Sequence, residues 1–184
     1  MDPPVERVKG CDVSHWNGVI DWATLRSRTD LKFVFIKATQ GTTYVDPKFR
    51  ENWGAAKKHG LFRGAYHFFQ SDTDPQLQAE HFLSVVSPQQ GDFSPTLDVE
   101  IAGSTTTVEE LTRGVRVWVQ TVQGAIGRPP MIYTNKTFGI NGFYPIKTFN
   151  AALCGLPSGS AATSLDCLLD GTSGPSGNIR TRAP

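Results

Sequence analysis

The chain has 184 residues, 39% of them hydrophobic, and a formal net charge of +1. That length suits one domain with a true core and is short for two. The near-zero charge gives no electrostatic reason to expect nucleic acid or an anionic membrane surface as a partner, and no apolar run approaches the length of a bilayer span. The opening residues, Met1 to Arg7, lack the apolar stretch of a secretory signal, so a cytoplasmic start is expected. Cys11, Cys154 and Cys167 have no metal-ligand spacing, and their odd number argues against a disulfide framework.

Strand-like and helix-like segments alternate through residue 146. Val8 to Val13 is a short strand candidate, followed by a polar turn over Ser14-His15-Trp16-Asn17-Gly18. Asp21 can cap a helix from Trp22 to Arg28. Leu31 to Ala38, rich in β-branched and aromatic residues, is the clearest strand. Pro47 to His59 reads as a helix closed by Gly60. Phe62 to Phe69 is a third strand, Pro75 to Val86 a helix, and Phe93 to Ile101 a fourth strand. Val108 to Ile126 is an amphipathic helix and Pro130 to Thr134 a fifth strand. Such alternation with mostly apolar strands predicts an α/β fold, a parallel sheet covered by helices.

The most informative segment is Ser94-Pro95-Thr96-Leu97-Asp98-Val99-Glu100. Alternation along a strand puts Asp98 and Glu100 on one face. Two carboxylates so close cannot both ionise freely, which equips one to protonate a leaving oxygen, as glycoside hydrolysis requires. Taken by itself, the pattern also describes a strand end with two solvated acids. In a closed parallel barrel the functional groups gather at the C-terminal strand ends. Asp12, Gln40, Tyr66, His67, Asp98, Glu100 and Tyr133 all fall at or just past those predicted ends.

Five segments occur in an order and spacing that resemble family 25 glycoside hydrolases, the Chalaropsis-type lysozymes. They are Gly10 to Trp22 (GCDVSHWNGVIDW), Phe33 to Gly41 (FVFIKATQG), Gly64 to Phe69 (GAYHFF), Leu97 to Glu100 (LDVE) and Ile132 to Asn135 (IYTN). The resemblance covers residues 8–146 and implies a catalytic domain there. Its fold would be a TIM-barrel-like arrangement of eight strands whose last three lack intervening helices. It implies an N-acetylmuramidase cutting the β-1,4 bond between N-acetylmuramic acid and N-acetylglucosamine, with peptidoglycan glycan strands as partner and no cofactor or metal. By the same resemblance Glu100 is the general acid, Asp98 the carboxylate that orients the substrate's own acetamido group, and Asp12 a supporting charge. Asp12 could equally cap the turn that follows it. Trp16, Tyr66 and Tyr133 would stack on sugars or serve as core or rim aromatics, and His67 is expected to hydrogen-bond within the strand layer. Lys37, a charge in an apolar strand, should pair with an inward acid. Gln40 stands where the family usually has Glu and is assigned to substrate binding.

After Phe149 there is no Phe, Tyr or Trp, and residues 155–184 are dominated by Gly, Ser, Ala, Thr and Pro. Residues 147–184 are therefore expected to be a divergent, disordered tail, with the last three barrel strands missing through a shifted reading frame or altered 3′ end. A barrel so opened is expected to have exposed edges and an uncovered interior. Two other readings follow: an inactive or non-catalytic peptidoglycan-binding remnant, and a chitinase-like enzyme. The second lacks the acidic run expected before its motif, since Phe93 to Leu97 contains no acid. With a cytoplasmic start, the protein would reach the wall only after release or export. The sequence leaves its oligomeric state open.

Overall fold

The computed structural model describes residues 8–134. Strand β1 (Gly10–Val13) leads through one 3-10 turn (His15–Asn17) to helix α1 (Trp22–Arg28). Strand β2 (Phe33–Gln40), the two-residue β3 (Tyr44–Val45) and helix α2 (Phe49–Lys58) follow. Then come β4 (Phe62–Phe68), α3 (Pro75–Val85), β5 (Thr96–Asp98), α4 (Val108–Ile126) and β6 (Met131–Tyr133). The helix starts follow their caps: Asp21 accepts the Thr24 amide, Asp74 those of Gln76 and Leu77, and Thr107 that of Glu110. The 3-10 turn is capped by Ser14 and Asn17 rather than by Asp12, because only Ser14 and Asn17 stand in capping-box register.

The five longer strands pair in the order β1-β2-β4-β5-β6, each parallel to its neighbour, and β3 adds antiparallel to β2. The α/β class is as expected. The path forms an open arc: among the described residues β1 and β6 are not hydrogen-bonded to each other. The expected tail at 147–184, and any strands beyond β6, lie outside the described residues.

Alternation sorts each strand onto two faces. Val34, Ile36, Ala38, Ala65, Leu97 and Val99 point outward into the main core, against α-helical residues such as Phe82, Val115, Trp118 and Val122. The inward face carries a second, smaller cluster of Phe33 and Phe35 with Tyr66 and Met131. Gly10 and Gly64 make room for it; a Cβ on either would collide with the ring of Phe33 or Phe35. Beside the outer face, the Arg63 side chain is buried against the Trp53 ring (4.0 Å) and paired with Asp92 at 2.8 Å.

Candidate active site

Because Leu97 and Val99 belong to the outer core, Asp98 and Glu100 share the opposite, inward face, as alternation requires. The regular strand ends at Asp98, but the Val99 amide still donates to the Tyr133 carbonyl at 2.9 Å, carrying the extended course toward Glu100. Asp98 lies in register with Phe68 on one side and Tyr133 on the other, and its side chain is buried at 8% exposure.

The acids converge from two strands, Asp12 from β1 and Asp98 and Glu100 from β5 and its continuation. Burial first, then the charges of Glu100 and Asp12, push the Asp98 carboxyl well above its ordinary value, while the Lys37 cation opposes them. One oxygen of Asp98 has no hydrogen-bond partner among the described residues. Asp12, at the end of β1, is open to solvent in this arc, and the protein atoms crowded round it still bias its carboxyl upward. Solvent contact moderates that bias. Tyr66 and Tyr133 flank the acids. Burial and the surrounding carboxylates hold both phenols protonated, and Tyr133 also hydrogen-bonds Glu100. A like-charged pair with buried walls retains a proton between its members, which is what an acid/base site needs.

Gln40 joins this group by an irregularity that strand periodicity does not predict. Lys37 and Gln40 are three residues apart and would face opposite ways on a regular strand. Between Lys37 and Thr39 the register of β2 against β4 shifts, so two β2 residues oppose one of β4. Thr39 then faces outward to His67, and Gln40 faces inward, where its Oε1 accepts from Lys37 Nζ at 2.7 Å. The expected acid partner of Lys37 is thus replaced by an amide, because the bulge brings Gln40 closer than any carboxylate on the strand ends.

His67 lies outside the site, on the outer face. Its Nδ1 is 2.7 Å from the Thr39 hydroxyl and its Nε2 3.1 Å from Gln78 Oε1. Since Gln78 Nε2 donates to the Gln70 and Thr73 carbonyls, its Oε1 is the acceptor, so His67 carries its proton on Nε2. Burial lowers its pKa to about 4.

Trp16 lies in the 3-10 turn that follows β1. It is 78% exposed, 4.5 Å from the ring of His15. His15 is fixed by the buried Asp46, which takes its backbone amide at 3.0 Å and its Nδ1 at 2.8 Å. The Tyr44 hydroxyl lies 3.1 Å from that same nitrogen. The sequence reading missed Asp46 and Tyr44, which sit in and beside a two-residue strand too short to show a period. Among the described residues, no group of three or more His, Cys, Asp or Glu could hold a metal ion.

Residues 11–152 match the model for glycosyl hydrolases family 25. The chain belongs to family 25. An uncharacterized Escherichia coli protein, YegX, is 40% identical over 140 residues, 74% of this chain and 51% of its own length. The N,O-diacetylmuramidase of Chalaropsis sp. is 32% identical over 143 residues, 71% of this chain and 67% of that protein. A solved family 25 glycosyl hydrolase from Bacillus anthracis superposes with a TM-score of 0.70 at 31% identity, covering 76% of this chain and 66% of the other. The chain therefore spans about half the length of the E. coli relative and about two thirds of the other two.

Proposed function

We propose that this family 25 chain is a peptidoglycan N-acetylmuramidase. The observation that carries the reading is the inward pair of Asp98 and Glu100, held at a strand end between Tyr66 and Tyr133, with an oxygen of Asp98 that has no hydrogen-bond partner among the described residues. The similarity to the N,O-diacetylmuramidase of Chalaropsis sp. supports muramyl glycan as the substrate. Two acids two residues apart on one strand cannot flank a sugar ring from opposite sides, so the attacking group comes from the substrate itself.

Glu100 protonates the leaving O4 of N-acetylglucosamine as the bond to C1 of N-acetylmuramic acid breaks. The acetamido oxygen on C2 closes onto C1, and Asp98 holds the acetamido N–H through its unpartnered oxygen. Water then attacks C1, giving its proton to the Glu100 carboxylate and restoring the acetamido group. The charge of Asp12 favours the developing oxocarbenium ion. Gln40 contacts the substrate beside the acids, and Trp16 provides an exposed ring for a sugar further along the strand. The catalytic domain comprises residues 8–146, and the protein acts at the cell wall after release or export.

The test is reducing-end release from purified peptidoglycan by the full chain and by Glu100→Gln. Loss of at least about 100-fold in the variant is expected for removal of the general acid. Equal release by both proteins refutes the assignment of Glu100, and release by neither returns the protein to the class of non-catalytic wall binders.

A further inference from the structure

We propose that Lys37 is a positioning residue for the acid pair, its charge directed to Asp98 because its own hydrogen-bond partner, Gln40, is neutral. Lys37 is buried at 8% exposure on the inward face of β2, with Nζ 4.7 Å from the centre of the Phe68 ring and 5.8 Å from that of Tyr44. A buried ammonium needs a counter-charge, and no carboxylate forms a salt bridge with it among the described residues. The 2.7 Å bond to Gln40 satisfies one proton of the ammonium without cancelling its charge.

Gln40, Phe68 and Asp98 lie in one register row across β2, β4 and β5. The ammonium sits over the Phe68 ring in that row, so Asp98 and, beyond β3, Asp46 are the acids its charge reaches. Asp46 is already committed: one oxygen takes two bonds from His15 and the other takes the Lys48 amide at 2.9 Å. Asp98 is the acid with an oxygen to spare. The remaining groups facing Asp98 are Glu100 beyond β5, Asp12 on β1, Tyr66 on β4 and Tyr133 on β6. None of these is a cation. Lys37 is therefore the one positive charge that acts on Asp98 among the described residues. It opposes the burial and the like charges that raise the Asp98 carboxyl, and so lowers the pH at which Asp98 becomes ionised to receive the acetamido N–H. Were residue 40 an acid, Lys37 would be neutralised by its nearest neighbour and this effect would be lost.

The inference rests on the muramidase reading for its part in turnover, but its test does not. The carboxyl carbon of Asp98 is followed by carbon-13 NMR across the pH range in the full chain, assigned with Asp98→Asn. Lys37→Met should raise the Asp98 midpoint by about one pH unit or more, and Lys37→Arg should leave it near the wild-type position. Gln40→Glu, which keeps the lysine and the packing, should also raise it. In any of these chains that hydrolyses peptidoglycan, the acid limb of the pH–rate profile should move with the midpoint. An unshifted Asp98 midpoint in folded Lys37→Met, or in Gln40→Glu if the methionine variant does not fold, overturns the proposal. If the wild type releases no reducing ends, the muramidase reading fails while the NMR midpoint still decides the role of Lys37.

Discussion

His67 ties the stability of the outer layer to pH. It is fully buried between the Thr39 hydroxyl and Gln78, with its ring stacked on Trp118 at 5.7 Å between centroids. Its pKa of about 4 in the folded protein lies below the 6.5 of a free imidazole. The folded state thus binds its proton less readily than the unfolded chain, and falling pH favours unfolding. The contribution is complete above pH 6.5, is lost as pH falls from 6.5 to about 4, and changes no further below that. The gap between those two values corresponds to about 3 kcal/mol. Carboxylates titrate over part of the same range, so the clean measurement is a difference. His67→Gln keeps a donor and an acceptor but cannot take up a proton near neutrality. It should cost about 1–3 kcal/mol at pH 7 through lost packing. Urea unfolding at pH 7, 6, 5 and 4 should then show the wild type losing its advantage by about 3 kcal/mol relative to the variant. A stability difference that stays constant across that range would falsify the account of His67 as a neutral, buried ring.

Two further outcomes follow from packing. Cys11 is buried on the outer face of β1, and burial pushes its thiol up to about 12, so it should resist a thiol-alkylating reagent in the native protein. Peptide mapping after a short native pulse should find Cys11 unmodified, with labelling appearing on addition of denaturant. Gly64→Ala places a methyl group against the ring of Phe35 in the inner cluster and should destabilise by about 1–3 kcal/mol, read as a lower urea midpoint at unchanged slope.

Much of the fold was legible because most elements carry their own local signals. Val108–Ile126 was delimited to the residue, and Asp21 and Gly60 marked helix ends that the structure shares. The expected strand over Phe93 to Ile101 shrinks to Thr96–Asp98. Pro95 has no amide proton to give, so the flanking residues make only isolated bonds, Phe93 to the Arg63 carbonyl and Val99 to that of Tyr133. The same-face placement of Asp98 and Glu100 follows from alternation, which holds wherever a strand is regular. It does not hold in β2, where the bulge after Lys37 turns Gln40 inward and gives the lysine an amide partner. Nothing in Lys37-Ala38-Thr39-Gln40 announces that extra residue. It is fixed by pairing with β4, a contact between segments about thirty residues apart. The Asp46–His15 bond spans a similar separation and was invisible for the same reason.

The two faces of the sheet carry opposite energetic signs. On the outer face, polar groups such as His67, Thr39 and Gln78 satisfy one another, and removing one should weaken the fold. On the inner face, Asp98 is buried beside Glu100 and Asp12, with one oxygen that has no partner among the described residues. Its carboxyl holds a proton more tightly when folded than when unfolded. The fold therefore bears a cost that is absent below pH 3.8, grows as pH rises from there, and levels off above the elevated folded value. Asp98→Asn removes that cost while keeping shape and one acceptor oxygen. At pH 7 the variant should be more stable than the wild type by about 0.5–2 kcal/mol, and the gain should vanish near pH 3. Hydrolysis, where it is present, should fall in the same variant, because the amide cannot orient the acetamido group as a carboxylate does. Unfolding curves at the two pH values decide the matter. If Asp98→Asn is less stable at pH 7, Asp98 is a structural acid whose partners hold it in place, and its burial carries no cost to the fold.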